Sequence, residues 1–180
     1  MSNGTPALAH LLRENIQHHV HHYERPATDR RVASRGDRLT YGAAAATALG
    51  ISASAMFKSL VLSLEQGGEA LSARGSALCF ALLPVDREVS LKRVAHVFGA
   101  RRAELLDAAS VTRVTGYVIG GVSPLGSKRT LPVVIDESVR SLSRLYLSAG
   151  QRGVAVELAS EDLIRALDAQ VAPISMAEEA

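Results

Sequence analysis

Three glycines and a proline fall within seven residues at Gly120-Gly121-Val122-Ser123-Pro124-Leu125-Gly126, with Ser127-Lys128-Arg129 directly behind them. Such a run cannot hold a regular helix or strand, because glycine admits angles and close approaches that a Cβ forbids, while proline fixes φ. In its plainest form it is a turn. It can also present backbone N–H groups to a carbonyl, carboxylate or phosphate, and its basic tail favours a negative partner. Lys58 is the second candidate. In the strand-like run Phe57–Leu64 its parity matches Leu60, Leu62 and Leu64, so it starts on the apolar face. Its ammonium either snorkels out at the strand end or grips a carboxylate, carbonyl or phosphate in a cleft.

The other reactive residue types point away from side-chain nucleophiles and metals. His18-His19-Val20-His21-His22 invites a metal, but alternate strand side chains diverge and no Cys or acidic group stands at zinc-site spacing. The cluster reads as polar strand surface. Cys79 lies inside the apolar run Ala77–Leu82, where a buried thiol is a small hydrophobe. Ser123 has no nucleophile elbow around it. Asp136 stands at a strand end and suits a turn or cap. The basic groups Lys92-Arg93, Arg101-Arg102, Lys128-Arg129 and Arg152 read singly as surface charge; together with a glycine loop they could line a phosphate-rich partner.

These residues need elements to position them. Thr5-Pro6 opens a helix over about Ala7–Asn15, and a short strand covers Ile16–Tyr23. The Arg-, Asp- and Ser-rich stretch 24–39 reads as an exposed excursion. Thr40 caps an Ala-rich helix, Tyr41–Leu49. Phe57–Leu64 and Ala77–Leu83 form a strand pair around a Gln66-Gly67-Gly68 turn. Ser90 and Asp107 cap two helices, closed by Gly99 and Gly116. Strands follow at Leu131–Ile135, Arg144–Leu147 and Gly153–Glu157. Ser160 caps a last helix, and the tail beyond Pro173 is expected to be loose. Strands outnumber helices without regular alternation, which indicates α+β with a mixed, curved, barrel-like sheet.

The chain has 180 residues, enough for one domain with a sizeable core. Its 47% apolar and 21% charged residues are those of a globular protein, and its net charge of +2 gives no strong overall field for nucleic acid. One cysteine excludes an intrachain disulfide framework and suits a reducing compartment. With no leader-like or membrane-spanning pattern, a cytoplasmic protein is expected.

Several ordered motifs together resemble one family. They are Thr5-Pro6-Ala7, Tyr23-Glu24, Phe57-Lys58-Ser59-Leu60, the long run Thr115–Gly126, Leu131-Pro132, Ile135-Asp136, Tyr146–Gly150 and Arg152-Gly153. The pattern is similar to the YbaK/EbsC family of bacterial Cys-tRNA(Pro) deacylases, related to the editing domain of prolyl-tRNA synthetases, and covers Thr5 to about Ala172. The resemblance implies a trans-editing hydrolase acting on mischarged Cys-tRNA(Pro), and on Cys-tRNA(Cys) as a further substrate. The chemistry it implies is substrate-assisted: the cysteine thiol attacks its own ester carbonyl, or a ribose hydroxyl assists water. It implies no metal and no cofactor. Its partners would be the acceptor end of tRNA(Pro) and, transiently, prolyl-tRNA synthetase.

Carried residue by residue, the resemblance makes Lys58 the anchoring lysine. Gly120 and Gly121 become the source of carbonyl-binding amides. Tyr23, Tyr41, Ser123, Pro124 and Ser148 would bind substrate, with Tyr41 standing where the family has Phe. Two departures matter. Gly153-Val154-Ala155-Val156-Glu157-Leu158 carries Ala155 where relatives have an aspartate, which opens the alternatives of an alanine or other small-residue deacylase and of a non-catalytic tRNA- or synthetase-binding relative. The segment 24–39 is also longer than the family's and reads as an insertion in a single domain spanning 1–180.

Overall fold

The computed structural model describes residues 4–24, 37–65 and 77–177, the side chains of 37–40 excepted. Helix α1, Pro6–Arg13, starts as expected: the Thr5 hydroxyl accepts the Leu8 amide and Pro6 occupies the first turn. It buries Ala7 and Leu11 but leaves Leu12 exposed. Strand β1, His18–His22, follows. Helix α2 runs Asp37–Leu49, so Thr40 lies inside its first turn and is not its cap. Most of the expected 24–39 insertion, and the Gln66-Gly67-Gly68 turn, lie outside the described residues.

The remaining elements are strands β2 (Phe57–Glu65), β3 (Leu78–Pro84) and β4 (Arg87–Val89), helix α3 (Leu91–Val97), strand β5 (Arg102–Leu105) and helix α4 (Ala108–Thr115). They continue with β6 (Val133–Asp136), β7 (Arg144–Gln151), β8 (Val154–Ala159), helix α5 (Ser160–Ala166), β9 (Gln170–Ala172) and β10 (Ser175–Ala177). A five-stranded sheet has the order β5-β2-β3-β6-β9, antiparallel except at β3–β6 and β6–β9. A three-stranded antiparallel sheet has the order β1-β8-β7, and β10 pairs with β4. One parallel bridge, Met56 to Tyr146, links the two larger sheets, and no closed barrel forms among the described residues.

The five-stranded sheet is buried on both faces, which explains why β3 reads as a continuous apolar run without alternation. Phe57, Val61, Phe80, Leu82, Val133 and Ile135 enter the main core, while Leu62, Leu64, Cys79, Ala81 and Val134 pack with Val94 and Phe98 of the α3 region. A smaller cluster joins Ala45 and Ala46 of α2 to Met56, Val85 and Ala155.

Two expectations at the C-terminal end need correction. Ser160 is the first residue of α5 rather than its cap; no side chain caps that helix. The tail is not loose through residue 177. The buried Asp136 carboxylate accepts the Ile174 amide at 3.1 Å and the Ser175 amide at 2.9 Å, pinning the chain so that β10 can pair with β4.

Candidate active-site cleft

One cleft is enclosed by α2, the start of β2, the glycine-rich loop and the end of β7. Its walls are Tyr23, Tyr41, Gly42, Ala45, Met56 to Val61, Val111, Ile119, Gly120, Val122 and Ser148. Including its open mouth it holds about 690 Å³, within the usual range of small-ligand clefts.

The glycine-rich loop is held from inside. Gly116 ends α4 in the left-handed conformation at φ 80°. Beyond it, Tyr117 is buried and donates its hydroxyl to the Leu125 carbonyl at 2.7 Å, spanning the loop; burial pushes this phenol up to about 12. The Ser123 hydroxyl accepts the Leu125 amide at 3.3 Å. Gly120 has φ 88°, and a Cβ there would meet Tyr41 Cδ1 at 3.2 Å and Arg152 Nε at 3.3 Å. Gly126 is stricter, since a Cβ would meet the Pro6 carbonyl oxygen at 2.2 Å.

The amides of the two neighbouring glycines differ in use. Gly121 N–H donates to the Val118 carbonyl at 2.9 Å and closes a turn, whereas the Gly120 and Val122 amides have no partner among the described residues. Ser123 and Pro124 are buried in the packing behind the wall, because the loop folds over its own side chains. The structure therefore brings Lys58, Gly120, Tyr23, Tyr41 and Ser148 to one cleft and leaves Gly121, Ser123 and Pro124 off its lining.

Lys58, the second residue of β2, shares the parity of Leu62 and Leu64; it contributes to the cleft lining, and its Nζ donates to the Arg87 carbonyl. Ser59 takes the opposite parity, between the buried Phe57 and Val61. Ser148 precedes an irregularity in the β7–β8 register that extends to Gln151. Such bulges redirect side chains next to sites, and Arg152 follows directly. Arg152 Nε donates to the Ile119 carbonyl at 2.7 Å, and its guanidinium lies 5.5 Å from the Tyr41 ring centroid. The sequence alone reads Arg152 singly as surface charge, or with the other basic groups as lining for a phosphate-rich partner, and gives Ser59 no role. The one available signal for Ser59 was a hydroxyl interrupting the parity of Phe57 and Val61.

Beyond the cleft, the same sheet carries a charged cluster. Glu157 accepts from Arg144 Nε at 2.7 Å and lies 2.8 Å from His21 Nε2, whose ring stands 5.5 Å from that of Tyr146. Burial alone would raise the Glu157 carboxyl, but the hydrogen bonds from His21 and Arg144 outweigh it and hold the group below its ordinary value. These contacts give His21 a structural job on the sheet surface. Ala155 is fully buried against Ala45, Ala46, Met56 and Val85. The Cys79 thiol is buried and pushed up to about 12 by desolvation. Among the described residues no His, Asp or Glu lines the cleft, and no three metal-ligating side chains converge.

A profile of the aminoacyl-tRNA editing domain matches residues 38–166. The chain belongs to the aminoacyl-tRNA editing domain family. Among curated members of similar sequence, EbsC of Enterococcus faecalis, provisionally named a Cys-tRNA(Pro)/Cys-tRNA(Cys) deacylase, is 32% identical over 74% of this chain and 76% of its own. The Escherichia coli K12 protein named multifunctional Ser/Thr-tRNA deacylase ProXp-y is 29% identical over 57% of this chain and 65% of its own. A solved structure described provisionally as a trans-editing enzyme for prolyl-tRNA synthetase superposes with a TM-score of 0.72 at 21% identity, covering 95% of both chains. At that identity the likeness carries the fold: the editing-domain fold is that of this α+β chain. No helix among the described residues is long and apolar enough to cross a membrane.

Proposed function

We propose that the chain is a freestanding aminoacyl-tRNA deacylase that removes cysteine mischarged onto tRNA(Pro), working in the cytoplasm beside prolyl-tRNA synthetase. The observation that carries this is the meeting of Lys58 and the unpartnered Gly120 amide on one cleft whose described lining holds no side-chain base. Ser59 and Ser148 line that cleft without a group to activate them, so neither is poised as a nucleophile.

In this reading Lys58 anchors the terminal nucleotide beside the ester, and the Gly120 amide faces the ester carbonyl. Water, assisted by the neighbouring ribose hydroxyl, adds to the carbonyl carbon, and the resulting oxyanion is held by the backbone donor. Collapse breaks the bond from carbonyl carbon to ribose oxygen. The proton released by the water passes to that oxygen, giving free amino acid and intact tRNA. The protein supplies position and oxyanion stabilisation, and the substrate supplies the proton relay. Editing of this kind removes errors that a binding pocket cannot exclude, because small side chains differ by only about 1–3 kcal/mol in binding.

Because Ala155 stands where the resemblance has an aspartate, removal of alanine or another small residue is the variation kept open. The experiment is ester loss from tRNA(Pro) charged with Cys, Ala or Pro. Faster-than-background loss of Cys supports the reading, loss of Ala with Cys spared moves the specificity, and no acceleration on any of them refutes the enzyme. Added prolyl-tRNA synthetase should sharpen discrimination among cysteinyl-tRNAs; unchanged selectivity would refute the partnership.

A further inference from the structure

We propose that strand β10 is a positioning element for the reaction: it steadies β4 and, through the Arg87 carbonyl, sets the Lys58 ammonium at the cleft. The inference rests on the deacylase reading above. It adds a segment, Ser175–Ala177, that lies beyond residues 38–166 matched by the family profile.

Lys58 Nζ donates to the Arg87 carbonyl, 29 positions along the chain. A lysine side chain loses much rotamer freedom when it is ordered, so an ammonium already held is cheaper to present to a substrate. It carries three donors, and the bond to Arg87 does not by itself exhaust them. The acceptor sits on a strand with little support of its own. β4 has three residues and follows β3 through a turn at Val85-Asp86. Among the described residues its strand partner is β10, in the register Ser175–Val89, Met176–Glu88 and Ala177–Arg87. The Ser90 amide donates to the Ile174 carbonyl at 2.8 Å. Bonded and non-bonded pairs alternate along an antiparallel ladder, which makes Arg87 and Ala177 a non-bonded pair. The Arg87 carbonyl therefore faces away from β10, as its bond with Lys58 requires.

Directed bonds, more than apolar burial, hold β10. Beside the Ile174 and Ser175 amides accepted by Asp136, Arg93 Nη1 donates to the Ser175 carbonyl at 2.9 Å and Arg87 Nη1 to Ser175 Oγ at 3.3 Å. Ser175 is buried, whereas Met176 and Ala177 are exposed. What these bonds fix is the place of β4, and with it the carbonyl that holds Lys58. Drift of that ammonium by about an ångström would misplace the ester against the Gly120 amide.

The test compares the intact protein with a chain ending at Ile174 and with Ser175→Pro. The first keeps the buried Ile174 side chain and its bond to Asp136; the second removes one amide that Asp136 accepts. Each protein is checked for its thermal midpoint and assayed for kcat/KM on tRNA(Pro) charged with Cys or Ala. Its lysine ammonium groups are then read by ¹⁵N relaxation; the chain has three lysines, Lys58, Lys92 and Lys128. In the intact protein the Lys58 ammonium should be more restricted than those of the exposed Lys92 and Lys128. In both variants it should become as mobile as they are, and kcat/KM should fall at least about tenfold with folding retained. A Lys58 ammonium as mobile as the others in the intact protein overturns the inference. So does a restricted ammonium, or an undiminished rate, in a folded variant; the deacylase reading then stands. If the intact protein hydrolyses neither ester faster than background, the deacylase reading falls and takes this inference with it. Should the shortened chain fail to fold, Ser175→Pro and the intact protein's relaxation decide the matter.

Discussion

Arg152 Nε donates to the carbonyl of Ile119 at 2.7 Å, and the same guanidinium reaches the ring of Tyr41. One side chain thus ties the end of the three-stranded sheet to the glycine-rich loop and to α2, and it does so at the carbonyl next to Gly120. The Ile119 carbonyl and the Gly120 N–H belong to one peptide plane, so the hydrogen bond fixes the orientation of that amide and the role of Arg152 is positional.

Removing this tie should affect turnover more than folding. Arg152 is exposed, so Arg152→Ala is expected to cost less than about 1 kcal/mol of stability. Misplacing a wall amide by around an ångström is expected to reduce kcat/KM roughly 10- to 100-fold. Lysine lacks the fork and should restore little. Deacylation kinetics beside thermal midpoints check this, and a fully active Arg152→Ala enzyme would remove Arg152 from the account.

The loop glycines should separate into one that serves the site and one that serves the fold. Gly120→Ala forces a side chain into φ 88° against the movable ends of Tyr41 and Arg152, a strain of about 1–3 kcal/mol. It should fold and lose at least about tenfold in rate. Gly126→Ala drives a Cβ into the Pro6 backbone and should cost more than about 3 kcal/mol, seen as loss of soluble folded protein. Equal stability of the two variants would contradict the distinction.

Asp136 gives a pH signature. Burial alone would raise its carboxyl, but hydrogen bonds from Ser138 and Ser175 outweigh it and hold the group below its ordinary value of 3.8. With the folded value depressed, its stabilisation is fully present above about pH 4 and is lost as pH falls through the lower folded value. Asp136→Asn should therefore lower stability at neutral pH by about 2 kcal/mol and flatten the fall in stability below pH 4. Denaturant midpoints from pH 7 to pH 2.5 measure both effects; parallel curves for the two proteins would contradict this.

Ala155 marks the position where the resemblance leads one to expect an aspartate. It is packed among Ala45, Ala46, Met56 and Val85. Ala155→Asp should lower the thermal midpoint and cost at least about 2 kcal/mol, because a carboxylate placed there is desolvated among apolar groups. An undiminished midpoint would show that the cluster still accommodates the acid.

Much of the framework was legible because its signals are local. Asp107 accepts the Ser110 amide and Gly116 closes α4 in the left-handed region, both as the residue types imply. The meeting of Lys58 with Gly120 was legible only through ordered motifs, since no local rule brings residues sixty positions apart to one cleft. The failures are tertiary. Ser123 and Pro124 belong to the loop's interior because Tyr117 pulls the loop over them, and β10 exists because Asp136 captures two distant amides. Arg152 was indistinguishable from solvated charge until its partner carbonyl, 33 positions away, was in place.

The central claim is that Lys58 and the Gly120 wall hold an aminoacyl ester for hydrolysis. Its most direct measurement is single-turnover hydrolysis of Cys-tRNA(Pro) by the intact protein and by Lys58→Ala, with folding of the variant verified. The account predicts clear acceleration over the uncatalysed rate by the intact protein and loss of at least about 100-fold in the variant. Full activity in Lys58→Ala would reduce the lysine to a strand-end residue bonded to Arg87 and contradict the account.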